Sequence, residues 1–194
     1  MIQLDVELPS NAIEVRVREV AQLFHTLDPF PFRERDLDAE VEDYIVGWAR
    51  ELRSEEPLRI IVHLPKSEAA AKHAGELEEA FQHYFTYRAQ VIGHELNELM
   101  RIGRFSLLVG LSILAVCLVT SHLAALYLTD PTFSSLVEQS FLILGWVANW
   151  RPLEIFLYDW WPLARRRRLY RRLAAAVVEV CPYELPTTGE LGAV

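Results

Sequence analysis

Residues 105–128 read FSLLVGLSILAVCLVTSHLAALYL, and this stretch decides the fold that the sequence predicts. It contains no Asp, Glu, Lys or Arg. As a helix it rises about 36 Å, which is enough to cross the ~30 Å hydrocarbon core of a bilayer. A helix satisfies its own backbone hydrogen bonds, so an apolar run of this length is typical of a membrane span. We predict transmembrane helix 1 at residues 104–128.

A second apolar run follows a short polar turn. An Asp-Pro pair between two threonines is a turn signal and predicts a short external loop at residues 129–133. Residues 134–153 are charged only at Glu138 and Arg151, and they predict transmembrane helix 2. If the first helix crosses the bilayer, the second returns, so the sequence predicts a two-helix transmembrane hairpin.

Arginine residues indicate on which side of the membrane the chain ends lie. Arg101 and Arg104 flank the first span, a basic cluster follows the second, and the loop at residues 129–133 has no Lys or Arg. Under the positive-inside rule, this pattern predicts a protein of the bacterial inner membrane with both termini in the cytoplasm. The residues predicted to contact anionic lipid headgroups are Arg165, Arg166, Arg167 and Arg168.

The segment before the spans predicts a small cytosolic α+β domain at residues 1–66. Apolar and polar residues alternate at residues 2–8 and 13–17, which predicts two short strands, with a hairpin as one arrangement. A helix that begins after Asn11 is the alternative. Residues 58–64 are rich in β-branched residues and predict the clearest strand of the chain.

Two helices are predicted on either side of that strand. The first runs from residue 39 to residue 53 behind an aspartate cap. Its predicted apolar face consists of Val41, Ile45, Trp48 and Leu52. The second is a connecting helix at residues 67–103 that continues into the first span, because no stop signal separates them. A strand at residues 81–87, where aromatic residues alternate, is the alternative.

After the second span, the sequence predicts an interfacial aromatic segment at residues 154–163, then a basic C-terminal cytosolic helix and tail at residues 164–194. The helix is expected to reach residue 180, with a loose tail after it. Pro152 and Pro162 are expected to bend or break the chain, because proline cannot donate a backbone hydrogen bond. The predicted fold class is therefore an α+β membrane protein.

Charge is divided unevenly along the chain and excludes some functions. Residues 1–100 contain ten Lys/Arg and twenty Asp/Glu, while residues 101–194 contain nine and seven. An acidic cytosolic domain argues against nucleic-acid binding, because phosphates need a basic surface. Cys117 and Cys181 show no disulfide or metal-ligand spacing. The N-terminus has no signal-peptide pattern. Because no nucleophile, phosphate-loop or metal motif occurs, we expect no enzyme, no cofactor and no metal.

Charged residues in or beside the predicted spans are candidates for function. If Asp130 is the centre of the turn, two residues at the same depth in the hairpin have numbers that sum to about 260. His122 and Glu138 meet this condition and are predicted to lie at the same depth. They form a pH-sensitive pair or reach the outer headgroups separately. Arg151 is predicted to pair with Glu154 at the cytoplasmic interface. The tryptophans predicted at that interface are Trp150, Trp160 and Trp161.

Small residues form a stripe on the first span, where they allow another helix to approach closely. The stripe consists of Gly103, Ser106, Gly110, Cys117 and Ser121. Packing within the hairpin, with Gly110 opposite Trp150, is the first interpretation. Self-association of several chains and a pore lining are the alternatives.

Residues 27–38 and residues 145–161 resemble stretches of uncharacterised bacterial proteins that have a small N-terminal cytosolic domain and two spans. The resemblance implies location and architecture, and no known function is attached to that family. The first stretch is interpreted as a structural lid, or alternatively as a partner-binding loop. Two functions remain open. One is a membrane-anchored interaction, scaffold or regulatory subunit whose partners are the lipid bilayer and itself or another membrane protein. The other is a homo-oligomeric channel or transport path built from several two-span chains.

Overall fold

A computed structural model describes residues 11–25, 35–52, 57–69, 76–127 and 130–184. These residues are mostly helical and contain one small parallel sheet. The strands are β1 Ala12–Arg16, β2 Arg59–Pro65 and β3 Val177–Tyr183. The helices are α1 Ala39–Glu51, α2 Lys66–Ala69, α3 Leu77–Tyr127, α4 Pro131–Ala148, α5 Trp150–Glu154 and α6 Trp160–Ala174. The chain divides into a sheet unit (Met1–Gln90 with Arg167–Val194) and a helical unit (Val91–Arg166).

The central strand β2 pairs in parallel with both of its neighbours. Ile60 lies in register with Ile13 on β1 and with Val178 on β3. The structure therefore has strands where the alternation at residues 13–17 and the β-branched run at residues 58–64 predict them, at β1 and β2. The observed partner of β1 is β2, in parallel pairing. The strand at residues 2–8, which could form a hairpin with β1, lies outside the described residues.

The C-terminal strand is the main difference from the expected fold. The sequence predicts a basic helix to residue 180 and a loose tail, but α6 ends at Ala174 and β3 follows it. Valine is β-branched and favours strands, and three valines occur at the start of β3. The backbone of β2 also has a second edge whose N–H and C=O groups need partners. The C-terminal segment therefore completes the sheet and belongs to the sheet unit.

The core of the sheet unit contains apolar side chains from strands and helices. The buried strand residues include Ile13, Val15, Ile60, Val62 and Leu64. Aromatic rings of α3 extend this core. Phe81 contacts Phe24 with ring centroids 6.3 Å apart, and Phe85 contacts Tyr170 of α6 at 6.2 Å. Residues distant in sequence therefore share one core.

Helix α1 begins where the sequence predicts but presents a different face. The Asp38 side chain caps it by accepting a hydrogen bond from the backbone N–H of Glu40 at 2.9 Å. Its buried residues are Glu42, Ile45, Val46 and Ala49. The predicted inward position of Trp48 is wrong, since this side chain is 47% exposed. Glu42 takes an interior position on this face instead.

Helix α3 is a single helix of 51 residues that contains residues 77–103 of the predicted connecting helix and residues 104–127 of the predicted span. Over these residues the helix is unbroken as predicted, and the alternative strand at residues 81–87 is wrong. The first residues of the predicted connecting helix form the separate helix α2, and residues 70–75 lie outside the described residues. By length and composition, α3 can cross a membrane. Among the described helices, α3 is the one that meets this criterion of length and composition.

In the helical unit, α3 packs in antiparallel direction against α4 and against Ile155, which follows α5. A Cβ atom placed on Gly103 would lie 2.8 Å from Ile155 Cγ2, and one placed on Gly110 would lie 3.0 Å from the Ala148 carbonyl oxygen. A Cβ atom on Gly145 would lie 3.3 Å from Cys117 Cβ. Residue numbers rise along α3 as they fall along the segment that it contacts, so the two run in opposite directions. The short distances show that they pack closely.

The helical path is interrupted close to Pro152, as the sequence predicts, but Pro162 lies within α6 and does not end a helix. The path turns at Asn149, before Pro152, and a π-helical segment at Ile155–Asp159 precedes Pro162. Each proline is the third residue of its helix, where the missing N–H is tolerated. Pro162 cannot donate to the carbonyl of Tyr158, and the wider π turn lies at that carbonyl.

Candidate functional site

The structure does not bring His122 and Glu138 together. Both side chains are exposed in the helical unit, and no hydrogen bond or ion pair joins them. Pairing of the two side chains and separate contact of each with the headgroups therefore both stay predictions.

We expect the substitution Glu138→Gln to change neither the thermal stability nor the oligomeric state of the protein between pH 5 and pH 8. The reason is that the carboxylate has no partner among the described residues whose charge state could depend on it. Melting temperature and size in detergent at several pH values check this. A pH-dependent difference between the variant and the wild type would support the pairing of His122 and Glu138.

The small-residue stripe lies at the helix contact. Gly103, Gly110, Cys117 and Ser121 are buried, and Ser106 is partly buried. The predicted partner of Gly110 is shifted by one or two residues, since Asn149 and Ala148 lie opposite it and Trp150 is exposed. The Asn149 side-chain amide donates to the Gly110 carbonyl at 3.1 Å and to the Gly145 carbonyl at 2.9 Å.

The interfacial residues form a local ionic and aromatic group in the helical unit. Arg151 forms ion pairs with Glu154 at 2.9 Å and with Asp159 at 3.1 Å. The Trp160 indole N–H donates to the Phe156 carbonyl at 2.8 Å. The remaining predicted interface residues, Trp150 and Trp161, and three of the headgroup arginines, Arg165, Arg166 and Arg168, are exposed, while Arg167 is partly buried. These contacts lie on one continuous stretch of chain, so they show no binding site built from distant residues.

A buried carboxylate cluster that the sequence does not predict lies in the sheet unit. Glu42 of α1 is 8% exposed, and its carboxylate receives donors from two other helices. The Tyr84 hydroxyl of α3 donates to Oε2 at 2.6 Å, and the Tyr170 hydroxyl of α6 donates to Oε1. Arg88 of α3 donates through Nε and Nη2 at 3.1 and 2.9 Å to Oε1, and Nη2 also lies 3.2 Å from Oε2.

The electrostatics of the cluster favour an ionised Glu42. Burial alone raises the pKa of this carboxyl, but hydrogen bonds from Tyr170, Tyr84 and Arg88 outweigh it and hold the pKa below the ordinary 4.5. Burial and the hydrogen bond to Glu42 raise the pKa of Tyr84. The hydrogen bond to Glu42 raises the pKa of Arg88 against the opposing effect of burial. The cluster therefore contains one anion, one cation and two neutral phenols.

This arrangement joins helices and leaves little capacity for catalysis. Both Glu42 oxygens already accept hydrogen bonds, so the carboxylate is not free to take a proton from a substrate. The bonds connect α1, α3 and α6, which are distant in sequence. A sequence signal existed: Glu42 is three, four and seven residues before the buried Ile45, Val46 and Ala49, so it falls on the apolar face of α1.

A second feature is an exposed stripe on α1. It consists of Glu40, Tyr44, Trp48 and Glu51, which follow one another at spacings of three or four residues and are all exposed. Tyr44 and Trp48 are 46% and 47% exposed, and their rings form an edge contact with centroids 6.3 Å apart. We call these four residues the α1 stripe. Two large aromatic side chains between acidic residues are unusual for a surface that contacts only water.

Metal binding has no support among the described residues, where no group of three His, Cys, Asp or Glu side chains is placed to hold an ion. Comparisons of the chain with protein-family models, with curated proteins and with solved structures find no match. The function must therefore be inferred from the chemistry of the surfaces described above.

Proposed function

We propose that the protein is a membrane-anchored docking module. In this proposal, α3 with α4 and α5 crosses the bilayer as a hairpin and both termini lie in the cytoplasm. The sheet unit presents the α1 stripe to a partner protein that carries basic and apolar residues. The α1 stripe is the observation that carries the proposal.

The membrane part rests on the surface of the helical unit. Large apolar side chains of α3, such as Phe105, Leu108 and Val116, are each at least 65% exposed. On α4, Ile143 and Val147 are 63% and 64% exposed. A contiguous apolar surface of this kind is costly in water and suits lipid. Arg151 and Glu138 lie near opposite ends of the second apolar run, where headgroups can solvate them.

The docking part rests on the composition of the α1 stripe. Tryptophan and tyrosine dominate the energetically important positions of protein interfaces, because each buries a large area at a small entropic cost. Glu40 and Glu51 flank the two rings, so the complementary surface should be basic at its rim. The cluster of Glu42 lies on the buried side of the same helix, which fixes the position of α1 within the sheet unit.

We predict that a photo-crosslinking amino acid at position 48 joins the protein to one discrete partner in intact membranes. The same amino acid at Arg50, which is exposed on another side of α1, is the control and should give little of that product. The double substitution Glu40→Lys and Glu51→Lys should reduce the position-48 product at least tenfold, because it opposes a basic partner surface. Equal crosslinking at positions 48 and 50 would contradict the proposal.

Two further measurements separate the docking module from the channel alternative. A small particle in detergent without ion flux in liposomes agrees with a docking module, whereas a closed ring with flux favours a channel. Reporter fusions at the two chain ends test the proposed topology. Reporters on opposite faces of the membrane would contradict the hairpin.

A further inference from the structure

The carboxyl edge of the sheet contains a polar pocket. Because the three strands are parallel, their carboxyl ends lie at one edge, where β1 ends at Arg16 and β3 ends at Tyr183. A pocket of about 360 Å³ opens there. Its lining residues are Arg16, Val17, Arg18, Gln22 and Tyr183. In open parallel sheets, ligands bind outside the carboxyl ends of the strands.

Contacts within the pocket wall hold Arg16 in place. Its guanidinium carbon lies 5.1 Å from the centroid of the Tyr183 ring, a cation–π contact. The Tyr183 hydroxyl lies 3.4 Å from the Val17 carbonyl oxygen, to which it donates, so the two edge strands are joined across the end of β2. Stacking uses the flat face of the guanidinium, and its N–H donors at the edge remain available.

The turn after β1 holds the other donors. The Gln22 side-chain oxygen accepts hydrogen bonds from the backbone N–H of Arg18 at 2.9 Å and of Glu19 at 3.5 Å. This closes the turn and places the Arg18 and Gln22 side chains on the pocket wall. The Gln22 amide nitrogen has no hydrogen-bond partner among the described residues and is a further donor.

The side chains that line this pocket carry positive charge. Neither Arg16 nor Arg18 forms an ion pair with a residue that the structure describes, and the lining contains no carboxylate. Other cations near the strands are paired: Arg59 lies 3.8 Å from Glu179, and Lys66 contacts Glu184. In a domain with twice as many acidic as basic residues up to residue 100, two arginines that share one pocket and form no ion pair with a described residue favour an external anion.

We propose that this pocket binds a phosphate group, with Arg16 and Arg18 as charged donors and Gln22 as a neutral donor. Arginine suits phosphate because its planar fork of N–H groups matches two phosphate oxygens. The shared chemistry is a phosphomonoester or phosphodiester, which a soluble metabolite or a phospholipid headgroup can supply. This inference is independent of the partner that contacts the α1 stripe.

Inorganic pyrophosphate is the probe, titrated at constant ionic strength onto the full chain in phosphatidylcholine nanodiscs. Binding is followed by hydrogen exchange of peptides that contain residues 16–22. We expect slower exchange with pyrophosphate, and at least a tenfold weaker apparent affinity in the variant Arg16→Gln, Arg18→Gln, because the substitutions remove both charged donors. Arg59→Gln, which removes an exposed arginine at the other end of the sheet, is the control and should bind like the wild type.

Nanodiscs of phosphatidylglycerol distinguish the two sources of phosphate. Equal pyrophosphate binding in both lipids supports a soluble ligand. Binding in phosphatidylcholine that is lost in phosphatidylglycerol supports a headgroup that occupies the pocket. The proposal is overturned if pyrophosphate has no effect on exchange in either lipid, or if the double variant binds as tightly as the Arg59→Gln control.

Discussion

Replacing Glu42 with alanine should lower the free energy of unfolding of the sheet unit by about 3 kcal/mol. The substitution leaves Arg88 without its carboxylate partner and two buried phenol hydroxyls without their acceptor. The value lies at the low end for a broken buried pair, because the Arg88 side chain is 34% exposed and water can partly solvate it. Hydrogen-exchange mass spectrometry of β2 peptides in the full chain, in detergent, measures the change.

Matched variants separate this cluster from general effects of substitution. Asp43→Ala removes the neighbouring exposed carboxylate and should change stability by less than about 0.5 kcal/mol. Tyr84→Phe removes one donor to a charged acceptor and should cost about 1.5 kcal/mol. If Glu42→Ala costs no more than Asp43→Ala, the cluster does not stabilise the fold.

The stabilising effect of Glu42 should depend on pH with a defined sign. Its pKa in the folded protein lies below the ordinary 4.5, so the folded state binds the proton more weakly than the unfolded state. The contribution is therefore fully present above pH 4.5 and is lost as the pH falls through the lower, folded value. We expect the stability difference between the wild type and Glu42→Gln to be constant from pH 5 to pH 8 and to shrink in acid. A difference that grows in acid would contradict the assignment of an ionised Glu42.

Local signals in the sequence account for much of the fold. The apolar composition of residues 105–128 and the absence of a stop signal before it predict the long helix α3. The cap at Asp38 and the β-branched run in β2 also act over a few residues and are found where they are predicted. The β3 strand depends on an edge of β2 more than 100 residues earlier in the chain. The helix propensity of the arginine-rich segment before β3 led to the prediction of a helix up to residue 180, where the structure has the start of β3.

The buried cluster was harder to predict because its members come from three helices. Glu42 on the apolar face of α1 is a visible anomaly, and Tyr84 and Arg88 are four residues apart on α3. Nothing local indicates that Tyr170 joins them, because it lies within a run of arginines that suggests a solvent or headgroup position. Trp48 shows the converse effect: its size favours burial, but placing the Glu42 carboxylate against its partners rotates the tryptophan to the surface.

The variant Gly145→Cys should form a disulfide with the native Cys117 under mild oxidation in membranes. A Cβ atom at position 145 would lie 3.3 Å from Cys117 Cβ, close to the ~3.8 Å that is typical of disulfides. The new side chain also meets Leu114 Cδ1 at 2.7 Å, which is the end of a flexible side chain and can move. A protease site inserted between α3 and α4 makes the crosslink visible, because the two fragments then stay together on a non-reducing gel and separate when reduced.

The background for this experiment is Cys181→Ser, so that Cys117 is the one other thiol. Val147→Cys is the control, because that side chain is 64% exposed and points away from the contact with α3. We expect most of the Gly145→Cys protein to crosslink within one chain and little of the Val147→Cys protein to do so. Dimers in place of intramolecular crosslinks would assign the small-residue stripe to self-association. Gly103 and Gly110 contact Ile155 and Ala148 in the same antiparallel order, so an intramolecular bond between positions 117 and 145 supports this pairing of the helices.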